Sequence, residues 1–139
     1  MIRKYAYWIS TALVCLLYVA SATMYLTMAD QVRQSLAGLG YPAYLREILI
    51  TVKILGVVAI LSRVSVRLSD LAYAGMFYHL LLAFSAHINA HDGGFFPAVA
   101  GFLALVVSFL TQNAARAKKS PYPRYRPEAG SAEPLWRSQ

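Results

Sequence analysis

Cysteine and acid are scarce in this sequence. A single cysteine, Cys15, excludes an intramolecular disulfide, a CxxC redox pair and a cysteine-rich metal centre within one chain, so thiol chemistry would need a partner. Asp and Glu number 6 against 13 Lys and Arg, and Asp30, Glu47, Asp70 and Asp92 all lie near the ends of apolar runs rather than inside them. Nothing resembles a carboxylate pair, a serine triad or a phosphate-binding glycine loop. Charge of either sign is scarce: 14% of the 139 residues against 58% hydrophobic, too apolar for an ordinary soluble domain, whose helices would carry a charged outer face. The formal charge of +7 would suggest nucleic acid in a soluble protein. Here the basic residues flank apolar runs, where they act as topology determinants, and no nucleic-acid partner is expected.

What the chain does have is four apolar runs. The first, residues 5–28, is uncharged over 24 residues, about 36 Å of helix, and follows Arg3 and Lys4. Ala20-Ser21-Ala22 imitates a signal-peptide cleavage site, but the apolar character continues through Met24, Tyr25 and Leu26, so a retained span is expected. Residues 29–44 turn amphipathic. Asp30 can cap a short helix with Val32, Leu36 and Leu39 on one side, ending near Gly40 and Pro42; it lies either along the membrane surface or in a loop with a single helical turn. The remaining spans are expected over residues 45–62, 71–90 and 95–113, with Pro97 tolerated in the first turn of the last. The expected fold is all-α: a transmembrane four-helix bundle with a short interfacial helix between the first and second spans, occupying residues 1–115.

Four spans place Arg3, Lys4, Arg63, Arg67, Arg116, Lys118 and Lys119 on one side, which the positive-inside rule makes the cytoplasm for both termini. Residues 116–139 hold four of the six prolines among basic and aromatic residues, and are expected to form a disordered basic tail without a core. Such a tail can hold anionic lipid, dock a partner, or serve only as a topology anchor.

Two runs carry residues that are costly in a bilayer. Lys53 sits in the second span, about 12 Å from its outer end, and a central lysine costs about 2.5–3.5 kcal/mol on insertion scales. With no carboxylate in any span, it either gives up its proton, snorkels toward Glu47, or faces an anionic ligand, a lipid headgroup, a quinone carbonyl or water. His79 lies at a similar level in the third span, and the two side chains can meet. Helical spacing puts Ala72, Gly75, His79, Ala83, Ala86 and Ala90 on one face, with His87 at its margin. Small-residue faces also occur in the second span through Gly56 and in the fourth through Gly101 and Ala104, and the first adds Cys15, Tyr18 and Tyr25; small residues permit close helix approach, so these faces are read as the bundle interior. His87 and His91 have zinc-chelating spacing, yet two histidines do not complete a site, so they are weak candidates and no metal is assigned. His79 and His87 are about 12 Å apart along one helix and cannot both ligate one haem iron.

Gly40-Tyr41-Pro42-Ala43-Tyr44-Leu45, Lys53-Ile54-Leu55-Gly56, Ala72-Tyr73-Ala74-Gly75 and Ala83-Phe84-Ser85-Ala86-His87, in this order, resemble the DoxX-like family of small four-helix membrane proteins. The resemblance covers residues 5–110. It implies that Lys53 and Gly56 form the family's Lys-x-x-Gly in the second helix and that His87 is the histidine closing the third. The wider DoxX superfamily is associated with membrane redox systems, including quinone-reducing sulfur oxidation complexes. Members with thiol activity need paired cysteines, which this chain lacks.

The leading expectation is therefore an accessory protein of a redox-related system in a bacterial inner membrane, binding a quinone or another small amphipathic ligand through Lys53, His79, His87, Gly56 and Tyr18. Expected partners are the lipid bilayer, a membrane or cytoplasmic oxidoreductase, and further copies of the chain. The alternatives are a small proton-coupled transporter, or an anchor that recruits a partner through its tail.

Overall fold

A computed structural model of the chain describes residues 1–123. Five α-helices follow one another: α1 (Ile2–Thr27), α2 (Ala29–Gly38), α3 (Leu45–Ser62), α4 (Val66–Ala90) and α5 (Phe96–Thr111), the last continuing into a 3₁₀ turn, Gln112–Ala114. No strand occurs among the described residues. The four long helices form a ring in which α1 packs on α3 and α5, and α4 packs on the same two. Short loops make α3, α4 and α5 successive antiparallel neighbours. The expected disordered tail falls mainly beyond residue 123, outside the described residues.

Three helices, Ile2–Thr27, Val66–Ala90 and residues 96–114, are long and apolar enough to cross a membrane. α3 has 18 residues and the same apolar character, but carries Arg46, Glu47 and Lys53. The outer surface of the ring agrees with a lipid environment: Ile9, Leu16, Leu55, Leu71, Leu82 and Leu103 are each at least 61% exposed. Water would not tolerate so continuous an apolar surface on a monomer, whereas hydrocarbon solvates it.

Several boundaries differ from the sequence expectation. α4 starts at Val66 rather than near residue 71, because Ser65, in extended conformation, caps it by accepting from the Leu68 amide at 3.4 Å. The polar residues Arg67, Ser69 and Asp70 thus belong to the helix. Asp30 does not cap α2: Met28 occupies that position without a side-chain bond, and Asp30 pairs with Arg33 at 3.6 Å. α2 is nonetheless a full helix that buries Val32 and Leu36 against α1 and α3, and the chain leaves it through Gly40 at φ 81°, a left-handed turn that glycine adopts without penalty.

The inward face of α4 is also shifted. Its most buried residues are Ser69, Tyr73, Met76 and Leu80, one position on from the small-residue face, and Gly75 is exposed. Bulky side chains fill the centre instead. Val14, Tyr18, Val57, Ile60, Met76 and Leu105 form one apolar cluster at the middle of the ring. Gly56 makes room for this: a Cβ there would stand 2.7 Å from Met76 Cε.

One end of the ring gathers cations. Arg63 places its guanidinium over the rings of Tyr7 and Trp8 at 5.6 and 5.2 Å and donates to the Ala115 carbonyl. Asp70 accepts from Gln112 at 3.2 Å and from Ser120 Oγ at 2.9 Å, while Asn113 bonds Ser120 and the Pro123 carbonyl. Residues 116–123 are thereby folded back across this arginine end.

Candidate functional site

Lys53 lies on the inward face of α3 and is only 3% exposed. Its Nζ donates to Ser21 Oγ of α1 at 2.7 Å and stands 3.6 Å from the centre of the Tyr25 ring, one helical turn further along. A hydroxyl oxygen and a π face are the acceptors available to an ammonium at this depth. The geometry is inward: Glu47, the carboxylate toward which the side chain would snorkel, instead pairs with Arg46 at 2.8 Å and Arg33 at 3.5 Å. Arg46 is fixed by a further bond from its Nε to the Tyr25 carbonyl, 2.8 Å.

Facing Lys53, Tyr18 of α1 and His79 of α4 make a second polar pair. The Tyr18 hydroxyl lies 2.9 Å from His79 Nδ1 and 3.3 Å from the Met76 carbonyl, so its one proton has two acceptors. Lys53 and His79 line the same space, each bonded to a different residue of α1.

That space is a pair of adjoining cavities. The first, about 310 Å³, runs from Tyr18, Ser21 and Lys53 past Tyr25 to His87 and Gly94 at the end opposite Arg63. The second, about 470 Å³, lies between α3 and α4 and is lined by Leu55, Gly56, Ala59, Leu68, Leu71 and Met76 among others. Tyr18, Lys53 and His79 line both and stand where the two adjoin.

His87 is at the mouth of the first cavity rather than at its centre. Its Nδ1 lies 2.9 and 2.8 Å from the two carboxylate oxygens of Asp92, and Asp92 also accepts from the Gly94 amide at 2.8 Å. Gly94 is required by this fit, because a Cβ there would fall 2.6 Å from His87 Nδ1. The amide of Gly94 and then the imidazole of His87 hold the Asp92 carboxyl below the ordinary aspartate range. His91 takes no part in this arrangement: it caps α4 at φ 56° and its Nδ1 bonds the Ile88 carbonyl at 2.7 Å. The two weak metal candidates are thus engaged separately, and no group of three or more His, Cys, Asp or Glu side chains is assembled among the described residues.

Four of the five residues expected to bind ligand, Lys53, His79, His87 and Tyr18, share the first cavity; Gly56 lines the second and acts through Met76. Sequence reasoning missed Ser21 and Asp92 as partners of these groups. The spacing of Tyr18, Ser21 and Tyr25 along one helical face was the available signal for Ser21.

Comparison with curated proteins and with solved structures gives no match. The profile of the DoxX-like family matches residues 9–109, from α1 to near the end of α5, and includes every residue of the two cavities. The chain belongs to the DoxX-like family.

Proposed function

We propose that the protein spans the bacterial inner membrane four times, through α1, α3, α4 and α5, with both termini cytoplasmic and α2 at the outer interface, and that it binds a small amphipathic, oxygen-bearing ligand inside the bundle. Quinones are the class that the redox associations of the wider superfamily suggest. In this reading the protein is an accessory to a membrane or cytoplasmic oxidoreductase. Lys53 donates to a ligand oxygen, the Tyr18–His79 pair provides a second hydrogen-bonding group, and His87 guards the mouth. The observation that carries the proposal is Lys53 itself, 3% exposed at the junction of two cavities. An ammonium held there at a cost of several kcal/mol, when a leucine would pack well, calls for a compensating ligand.

Purification of the full chain from its native membranes, followed by organic extraction, tests the reading. An isoprenoid or comparable amphiphile is expected in roughly equimolar amount and is expected to be lost from Lys53→Met. If bulk phospholipid alone is recovered equally from both proteins, the bundle is not a binding protein.

A further inference from the structure

The charge balance around Lys53 identifies the ligand more closely. Among the described residues there are four acidic side chains, and each is engaged elsewhere. Asp30 pairs with Arg33, Glu47 with Arg46 and Arg33, Asp70 with Gln112 and Ser120, and Asp92 with His87 and the Gly94 amide. Lys53 has a hydroxyl and an aromatic face but no anion, although an ammonium has three N–H donors and Ser21 accepts from only one. An amine buried in this way is held in its charged form when a negative charge joins it, because attraction across a short distance grows as the dielectric falls.

The shape of the site says what carries that charge. The first cavity, about 310 Å³, has Ser21, Lys53, Tyr18 and His79 at its inner end and His87 at its mouth. From the same groups the second, about 470 Å³, extends toward the arginine end along α4 from His79 to Leu68, about 16 Å of helix, between side chains that are almost all aliphatic. Leu55, Leu68 and Leu71 on its margin are 61%, 46% and 69% exposed, so this groove faces the surrounding hydrocarbon. A polar head of one negative charge on a linear apolar body fits the junction of the cavities and the groove. A compact inorganic anion leaves the groove unfilled, and a neutral quinone leaves the ammonium without its counterion.

We propose that the ligand is a lipid-soluble weak acid bound as its anion, of the long-chain fatty acid class, with its carboxylate on Lys53 and its chain in the α3–α4 groove. This rests on the reading of the bundle as a ligand-binding protein and narrows the ligand from any amphiphile to an anionic one. Tyr18 and His79 face the same carboxylate from the other wall and select for a head with two oxygens. Gly56 keeps the groove open beside Met76, whose flexible thioether can give way to a chain.

Native mass spectrometry of the detergent-solubilised full chain, incubated separately with palmitic acid, methyl palmitate and a short-chain quinone, tests the proposal. Wild type is expected to retain palmitic acid at least about tenfold better than the ester or the quinone, equivalent to about 1.4 kcal/mol. In Lys53→Met the acid-to-ester ratio is expected to fall to about one, and Lys53→Arg is expected to restore preference for the acid. A cooperative unfolding transition retained by detergent-solubilised Lys53→Met shows that the bundle survives the substitution, so loss of folding does not mimic the result. Equal retention of acid and ester by wild type, or preference for the quinone, overturns the anion while leaving a ligand-binding bundle. Retention of none of the three overturns both readings.

Discussion

Ser21 illustrates what a sequence withholds at the scale of one residue. Lys53 and His79 stand out in a linear reading because polar groups interrupt apolar runs, and Lys53 is confirmed as buried. A serine among small residues carries no such signal; within Ala20-Ser21-Ala22 it reads as part of a cleavage-site imitation. Its role follows from tertiary geometry, where it is the hydroxyl that accepts from the ammonium at 2.7 Å. Ser21→Ala is therefore expected to destabilise the purified chain by about 1.5–3 kcal/mol, the usual range for a hydrogen bond to a charged group. In a Lys53→Met background the same substitution should cost less than about 0.5 kcal/mol, because nothing is left to orphan. Reversible unfolding in mixed micelles measures the cycle. Equal costs in the two backgrounds would show that the bond contributes nothing to stability.

At the scale of elements, the helices were legible where hydropathy alone decides, and less so where capping does. Hydropathy puts the start of α4 about one turn late because Arg67, Ser69 and Asp70 resemble a loop, whereas Ser65 caps the helix ahead of them. The small-residue face of α4 is one position out of phase with its core face: Ala72, Gly75, His79 and Ala83 line the cavities, while Tyr73, Met76 and Leu80 fill the centre of the ring. The α4–α5 connection had a legible histidine and an illegible clasp. Because the folded Asp92 carboxyl is held below its ordinary range, the clasp contributes fully above the ordinary aspartate pKa and is lost as pH falls through the lowered one. Hydrogen exchange at the Gly94 amide, corrected for its intrinsic pH dependence, should accordingly speed up under acid. Asp92→Asn should raise that rate at neutral pH and flatten its pH response. Gly94→Ala should disturb the clasp similarly, since the added methyl displaces His87, and the two substitutions together should do little more than either one. A pH response that persists in Asp92→Asn would assign it to another group.

The whole molecule is apolar outside as well as in: bulky aliphatics cover its surface, and its interior adds hydroxyls, amides and an amine to an apolar cluster. This was the part of the fold most legible from composition, because 58% hydrophobic residues leave a 139-residue chain no polar exterior to present. The arrangement of helices was not legible: nothing in the apolar pattern says that α1 packs beside α3 and α5 while α4 lies across from it. Membrane placement of α3 is the decisive point, since its charges set it apart from the other three long helices. With Cys15→Ala as background, Ala43→Cys and Val64→Cys flank α3 at exposed positions. An impermeant maleimide added to intact bacterial spheroplasts is expected to label the cysteine at 43 at least about tenfold faster than that at 64, and equally only after permeabilisation. Equal labelling in intact cells would put both ends of α3 on one side of the membrane.

Tyr18 is the hydroxyl that reaches across the ring from α1 to α4, and its two acceptors give this brace a second property. When the phenol donates to Nδ1, the far nitrogen of the neutral imidazole must carry the hydrogen. When it turns to the Met76 carbonyl, Nδ1 can carry the hydrogen and the far nitrogen is left bare. Transfer of the imidazole hydrogen from one ring nitrogen to the other, relayed by a visiting molecule or water and matched by a rotation about the phenol C–O bond, thus reverses the polarity that His79 offers, and no helix has to shift for the pocket to greet an acceptor at one time and a donor at another.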